Sequence, residues 1–278
     1  MNAAKSLVAA LGALVLLLSL NACETGSTTQ GGAVGVERKQ FFAVSSQQIE
    51  ASSAQAYQKL LEKERKNGTL DRNPQQVQRI RAIAARLIPQ TSAFRADAPA
   101  WSWEQHVIES KELNAWCMAG GKIAVYSGLI EKLNLTDDEI AAVMGHEIAH
   151  ALREHSREQA SEQMVTGVGL SIGGALLGLN QAQMSLADTV MNVTIGLPHS
   201  RKHEVEADRM GVELAARAGY DPHAAVSLWK KMGSAAGSSG PPEFLSTHPA
   251  PENRLRDLET YAQRVYPLYQ QQRSGRRQ

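Results

Sequence analysis

The stretch Leu135-Thr136-Asp137-Asp138-Glu139-Ile140-Ala141-Ala142-Val143-Met144-Gly145-His146-Glu147-Ile148-Ala149-His150 decides how this chain is read. Thr136 followed three residues later by Glu139 is a capping-box pattern, and Asp137 and Asp138 put negative charge at the positive end of a helix dipole. Ile140, Val143, Met144 and Ile148 recur at helical spacing, so the sequence predicts a helix from about Asp137 to Glu154 with an apolar face. On such a helix His146 and His150 share one side. Two imidazoles so placed can bind one metal ion, and Glu147 between them can reach a water on that ion. This is the arrangement of a zinc hydrolase. The plainer alternative is a core helix whose two histidines are satisfied by hydrogen bonds.

Zinc held by two histidines needs a third protein ligand and an open position for water. A continuation as H-E-x-x-H-x-x-G-x-x-H would need Gly at 153 and His at 156. The chain has Arg153 and Ser156, and His155 is one position out. The other place to look is His203-Glu204-Val205-Glu206-Ala207-Asp208, which opens a second helical pattern running to Ala218-Gly219. Glu204 and Asp208, one turn apart, share a face, while Glu206 points nearly the opposite way. Glu204 is therefore expected as the third ligand. Asp208 is expected behind a ligand histidine, fixing its tautomer. Glu206 is expected on a solvated acidic face.

His146-Glu147-x-x-His150 followed by Glu204-x-x-x-Asp208 resembles the gluzincin endopeptidases of the HtpX and CAAX-prenyl-protease type. Asn114-Ala115-Trp116-Cys117-Met118-Ala119-Gly120-Gly121, running into Lys122-Ile123-Ala124-Val125-Tyr126-Ser127-Gly128-Leu129, is similar to the strand and turn before the zinc helix in that family. Ser200-Arg201 before Glu204, and Ser246-Thr247-His248-Pro249 with Arg254 five beyond the proline, agree with it too. The likeness covers roughly residues 45 to 265 and is closest to the lipid-anchored, LoiP-like periplasmic branch. No tetratricopeptide-like repeat follows the catalytic region, so an architecture with a repeat domain is not expected.

The resemblance implies a zincin-type metalloprotease domain with one Zn2+ per chain and Glu147 as the catalytic base. It gives His248 one of two roles, a donor to the tetrahedral oxyanion or an extra ligand that keeps the site latent. It implies that Asn114 and the strand Lys122–Tyr126 form the edge on which an extended peptide adds as a strand. The expected substrates are unfolded or misassembled envelope proteins. A second hypothesis is an assembly factor or chaperone that works with the outer-membrane assembly machinery and keeps only latent protease activity.

The ends of the chain bear on location. Lys5 precedes a nearly unbroken apolar run from Leu7 to Leu20, too short and too early for a spanning helix, so residues 1–22 are expected to be a signal peptide. Leu20-Asn21-Ala22-Cys23 resembles a bacterial lipobox, which implies a lipid on Cys23 and membrane attachment through it. Glu24 rather than Asp after that cysteine points to the outer membrane, with the protein facing the periplasm. Residues 23–44 read as the lipidated cysteine and a flexible Gly/Ser/Thr-rich tether. Residues 45–266 read as the catalytic domain, and 267–278 as a basic, solvated tail. The chain has 29 basic and 28 acidic side chains with no like-charged block, which excludes nucleic acid as an expected partner. Of its 2 cysteines, Cys117 is left without a disulfide partner and is expected to be buried and inert.

The remaining pattern predicts an α+β, mostly helical domain with a small sheet beside the H-E-x-x-H helix. Helices are expected at Val44–Lys66, Pro74–Leu87 and Ala250–Tyr266, and strands at Trp101–Ser110 and Ile123–Tyr126. The apolar, Gly-rich run 165–179 is short for a membrane span and is expected as a buried helix, with a surface-active or substrate-facing segment as the alternative. Gly237-Ser238-Ser239-Gly240-Pro241-Pro242 reads as a mobile connector.

Overall fold

A computed structural model describes residues 24–176, 186–235, 242–249 and 251–275. Helices dominate, beside two small sheets. Strands β1 (Glu24–Gly26) and β2 (Gln40–Phe42) pair antiparallel. Helices α1 (Ser46–Lys66) and α2 (Pro74–Leu87) follow, then β3 (Glu104–Ile108), β4 (Ala115–Met118), β5 (Lys122–Tyr126) and the short α3 (Ser127–Lys132). The second half carries α4 (Asp137–Leu152), α5 (His155–Leu176), α6 (Leu186–Met191), a π turn at Asn192–Gly196, α7 (Arg201–Arg217), α8 (Ala224–Ser234), α9 (Glu243–Thr247) and α10 (Arg254–Gly275).

Helix α4 is the axis of the domain. It starts where the sequence predicts: the Thr136 hydroxyl accepts the Glu139 N–H, and the Glu139 carboxylate accepts the Thr136 N–H at 2.9 Å. All of its residues from Glu139 on are buried, because it is packed by α7, α8, α2 and β4. Its tightest neighbour is α7. A Cβ on Gly145 would stand 2.8 Å from the Gly211 carbonyl oxygen, and a Cβ on Gly211 would stand 2.7 Å from the His146 nitrogen. The two helices therefore cross with backbones in contact, which only glycine allows. The crossing sets the first turns of α7, with Glu204 and Asp208, against the last turns of α4, with His146 and His150.

The three-stranded sheet has the order β3-β5-β4, with β3 parallel and β4 antiparallel to β5. This corrects the expected edge. Lys122–Tyr126 is the central strand, hydrogen-bonded on both sides. Asn114 instead leads into β4, whose outer side has no strand partner among the described residues.

Three further expectations are corrected. Residues 24–44 are not a flexible tether but a strap laid over the domain. Val34, Val36 and Phe42 are buried, and the Val34 N–H donates to Glu213 at 3.0 Å. Gly32 fits there with φ +60 where a Cβ would strike the Phe94 ring at 2.5 Å. The C-terminal stretch is not a frayed tail up to residue 275: α10 runs through Pro267 to Gly275, and Leu268 and Tyr269 pack on the core. The run beginning at 165 does not start buried. It belongs to α5, where Met164 and Val165 are 46% and 52% exposed; the side chains of 168–185 lie outside the described residues. The signal peptide, Cys23 and the loop 237–241 also lie outside them.

The predicted helix to Glu154 is broken at its end. Arg153 caps α4, Glu154 takes a left-handed conformation with φ 51, and His155 begins α5 in a new direction. A non-glycine residue held there costs about 1–2 kcal/mol. Arg95 and Arg157 clamp the Glu154 carboxylate at 2.5 and 2.7 Å and hold it in place.

Candidate metal centre

The crossing of α4 and α7, with α9 closing over it, gathers His146, His150, Glu204 and His248 into one buried cluster. Nε2 of His146 lies 3.1 Å from Nε2 of His150 and 3.2 Å from Nδ1 of His248. Glu204 Oε1 lies 3.4 Å from His150 Nε2 and 3.0 Å from His248 Nδ1. Donors of a tetrahedral zinc, each about 2.0–2.1 Å from the ion, stand about 3.3 Å apart. These four separations lie near that value, and three imidazoles with one carboxylate are ligands zinc accepts. The four-residue cluster, His248 included, is compatible with one zinc ion.

Charge in the cluster is arranged to suit a cation. Burial alone would favour the neutral acid of Glu204, but His248, His150 and His146 outweigh it and hold this carboxylate well below its usual range. Burial pushes His150 well below the ordinary imidazole value, so its lone pair is available. Burial works against protonation of His248 too, yet Glu204 and Glu147 raise it. Glu147 is itself raised by burial. Its Oε1 has no hydrogen-bond partner among the described residues and lies 3.5 Å from His248 Nε2. This buried carboxylate oxygen accepts no hydrogen bond among the described residues and lies beside the cluster that could hold a metal ion.

Asp208 stands where the sequence puts it. Its Oδ1 lies 3.0 Å from His146 Nδ1, the ring nitrogen turned away from the cluster. Arg254 ties the set together: it donates to Asp208 at 2.7 and 3.0 Å, to Glu204 Oε2 at 2.6 Å and to the His248 carbonyl at 3.2 Å. Its guanidinium sits 3.4 Å over the Trp229 ring. The five-residue spacing from Pro249 to Arg254 signals this arginine; its bonds to both carboxylates are not legible in the spacing.

Asn114 is buried at the head of β4. Its side-chain oxygen accepts the Ala115 N–H at 2.9 Å and its carbonyl accepts the Tyr126 N–H at 3.0 Å. The neighbouring Leu113 carbonyl accepts the Phe244 N–H at 3.1 Å, and the Phe244 ring stacks on His248 at 4.3 Å. The edge strand is thus fastened to the segment that carries His248. Cys117 is buried outside the cluster, and burial pushes its thiol well above the ordinary value, as an inert cysteine requires.

Glu206 corrects the sequence reading. It is 7% exposed, not solvated. His155, Arg153 and Arg38 all reach it, at 3.0, 3.0 and 2.6 Å. Arg38 also bridges to Glu158, which in turn meets His203 at 3.1 Å. His199 was not legible as a site residue either. Its ring lies 4.2 Å from that of His150 and 5.2 Å from that of His248, and burial, reinforced by His248, pushes it down to about 3.

A model of Peptidase family M48 matches residues 74–262, which takes in the cluster and most of the domain. Mitochondrial metalloendopeptidase OMA1 of Schizosaccharomyces pombe is 36% identical over 160 residues, 57% of this chain and 46% of that protein. OMA1 of Arabidopsis thaliana is 34% identical over 180 residues, 63% of this chain and 35% of that protein. The beta-barrel assembly-enhancing protease of Escherichia coli K12 is 30% identical over 213 residues, 73% of this chain and 42% of that protein. The chain spans less than half the length of these relatives.

Proposed function

This chain belongs to peptidase family M48, and we propose that it is a zinc-dependent endopeptidase that cleaves unfolded or misassembled polypeptides in the cell envelope. The observation that carries this reading is the buried set of His146, His150, Glu204 and His248 with a Glu147 carboxylate oxygen beside it that accepts no hydrogen bond among the described residues. Zinc held by His146, His150 and Glu204 would supply a Lewis acid that lowers the pKa of a water to about 7 and polarises a scissile carbonyl. Glu147 takes the proton of the attacking water and passes it to the departing amine. Its raised proton affinity suits both halves of that transfer. Asp208 and Arg254 hold His146 and Glu204 in place meanwhile.

Of the two roles for His248, its position favours the latent one. With Nδ1 3.2 Å from His146 Nε2 and 3.0 Å from Glu204 Oε1, it takes the corner that water needs. Activity then requires α9 to move His248 aside. An extended substrate would add to the side of β4 that has no strand partner among the described residues, reading backbone rather than side chains, which suits unfolded chains of varied sequence.

We place the protein in the LoiP-like branch, as an outer-membrane lipoprotein anchored through Cys23 and facing the periplasm. No helix of the described residues is long and apolar enough to cross a membrane. Because β1 begins at Glu24, a lipid on Cys23 would hold the domain directly at the membrane surface. Replacing Cys23 by Ser should move the protein from the membrane pellet to the soluble fraction.

Glu147→Gln tests the enzymatic reading. It should lower cleavage of unfolded casein by about 10²- to 10⁴-fold while zinc content and fold stay unchanged. Casein cleavage at the wild-type rate would overturn the reading. The likeness to a beta-barrel assembly-enhancing protease supports a second one, in which binding to assembling membrane proteins is the main role. Full rescue of an envelope defect by the Glu147→Gln variant would favour that second reading.

A further inference from the structure

We propose that His155 and Glu206 are positioning residues for His150, and that Arg38 couples this pair to the N-terminal strap. The inference rests on the zinc reading above. His150 turns Nε2 toward His146 and Glu204 and turns Nδ1 away, 2.9 Å from Nδ1 of His155. The opposite ring nitrogen of His155 lies 3.0 Å from Glu206 Oε2. All three residues are buried.

The proton arrangement follows from valence. A His150 that gives its Nε2 lone pair to a cation carries its proton on Nδ1. That N–H donates to His155 Nδ1, which must be the unprotonated nitrogen. His155 then carries its proton on Nε2 and donates it to Glu206. One tautomer of each ring satisfies the whole chain, and it ends on a carboxylate held by Arg153 and Arg38. His146 has a carboxylate directly behind it, Asp208 at 3.0 Å. His150 has one too, reached through a second imidazole.

The fold is bent to make this contact. On a continuous helix a residue five positions on faces about 140° away. The left-handed turn at Glu154 brings His155 back to His150. His203 stacks on His155 with ring centroids 4.2 Å apart and planes 15° apart, fixing the ring. Arg38 closes the arrangement from the strap: it contacts Glu206 at 2.6 Å and Glu158 at 2.6 Å, and Glu158 meets His203. Gln40 donates to Glu158 at 2.7 Å and to the Arg153 carbonyl at 2.7 Å. The strap that follows Cys23 therefore reaches a candidate ligand through Arg38, Glu206 and His155.

The test is zinc affinity, measured by competition with a chromophoric chelator on the full chain. His155→Phe should weaken zinc about 10- to 100-fold, the usual cost of losing such a partner. His155→Gln, whose amide oxygen can accept from His150 Nδ1–H, should restore most of that loss. Arg38→Met should weaken zinc several-fold. Nitrogen-15 NMR of the zinc-loaded wild type should find His155 protonated on Nε2 alone. A folded His155→Phe protein that binds zinc as tightly as wild type, or no rescue by glutamine, would overturn the proposal. If His155→Phe does not fold, an Nδ1 proton on His155 or unchanged zinc affinity of Arg38→Met overturns it instead. A wild-type protein that takes up no zinc at all would contradict the enzymatic reading, and so separates the two failures.

Discussion

His146 and His150 stand one turn apart on the same helix, yet the structure behind them is built differently. Behind His146 lies Asp208, from the helix that α4 crosses, with Arg254 from the last helix clamped across it. Behind His150 lies His155, then Glu206, then Arg38 from a strap at the other end of the chain. The first support is compact and sealed: Arg254 is buried and pairs with two buried carboxylates. The second is layered and reaches the surface, since the Arg38 side chain is 29% exposed. A site held rigidly on one side and adjustably on the other can keep a metal and still respond to movement of the strap.

Breaking the His146 side should have the largest effect. Arg254→Met removes the cation shared by the buried carboxylates of Glu204 and Asp208, leaves them only imidazole neighbours, and should cost about 3–5 kcal/mol in chemical denaturation of the metal-free protein. Gly211→Ala strikes both sides at once by pushing α7 off α4, at about 1–3 kcal/mol in the same measurement. Arg38→Met should cost less, about 1–2 kcal/mol, because Glu206 keeps Arg153 and Glu158 keeps His203 and Gln40. Equal losses from Arg254→Met and Arg38→Met would erase the distinction between the two supports.

Acid sharpens the contrast at the strap. Burial opposes ionisation of Glu158, but Arg38, His203 and Gln40 outweigh it and lower its pKa from 4.5. A carboxylate lowered in the folded state contributes stability that is complete above its unfolded value and is lost as pH falls through its folded value. For Glu158 that window lies below pH 4.5. Arg38→Met should raise the folded value, so its acid unfolding, followed by circular dichroism, should begin at higher pH than in the wild type. An unchanged acid midpoint would mean that Arg38 does not govern Glu158.

The two supports also differ in how far they were legible. Helix periodicity and the Thr136–Glu139 cap place α4, and the same reasoning places Glu204 and Asp208 on one face of α7. What brings the two faces together is Gly145 against Gly211, a contact that sequence spacing does not announce. Pro74–Leu87 is found where predicted because Asn73 caps it and Pro74 suits a first turn. The support of His150 was hidden for physical reasons. Periodicity correctly turns Glu206 away from Glu204, but such a face is solvated only if nothing covers it, and the strap does. Residues 24–36 look like a linker because glycine, serine and threonine dominate them. Their few apolar side chains, Val34 and Val36 with Phe42 beyond, are the ones that dock. His155 was set aside as a ligand because it stands one position out of the H-E-x-x-H-x-x-G-x-x-H pattern, and its place behind His150 depends on the left-handed Glu154, which the pattern does not announce. The central place of β5 depends on the return of β3 alongside it, a long-range pairing that strand patterns do not encode.

The central claim is a single zinc ion gripped by His146, His150 and Glu204. Elemental analysis of the purified protein beside its Glu204→Ala variant tests it most directly. The wild type should carry one zinc per chain and the folded variant under about a tenth of that, through loss of a ligand. A wild type free of zinc, or a Glu204→Ala protein that keeps its full complement, would contradict it.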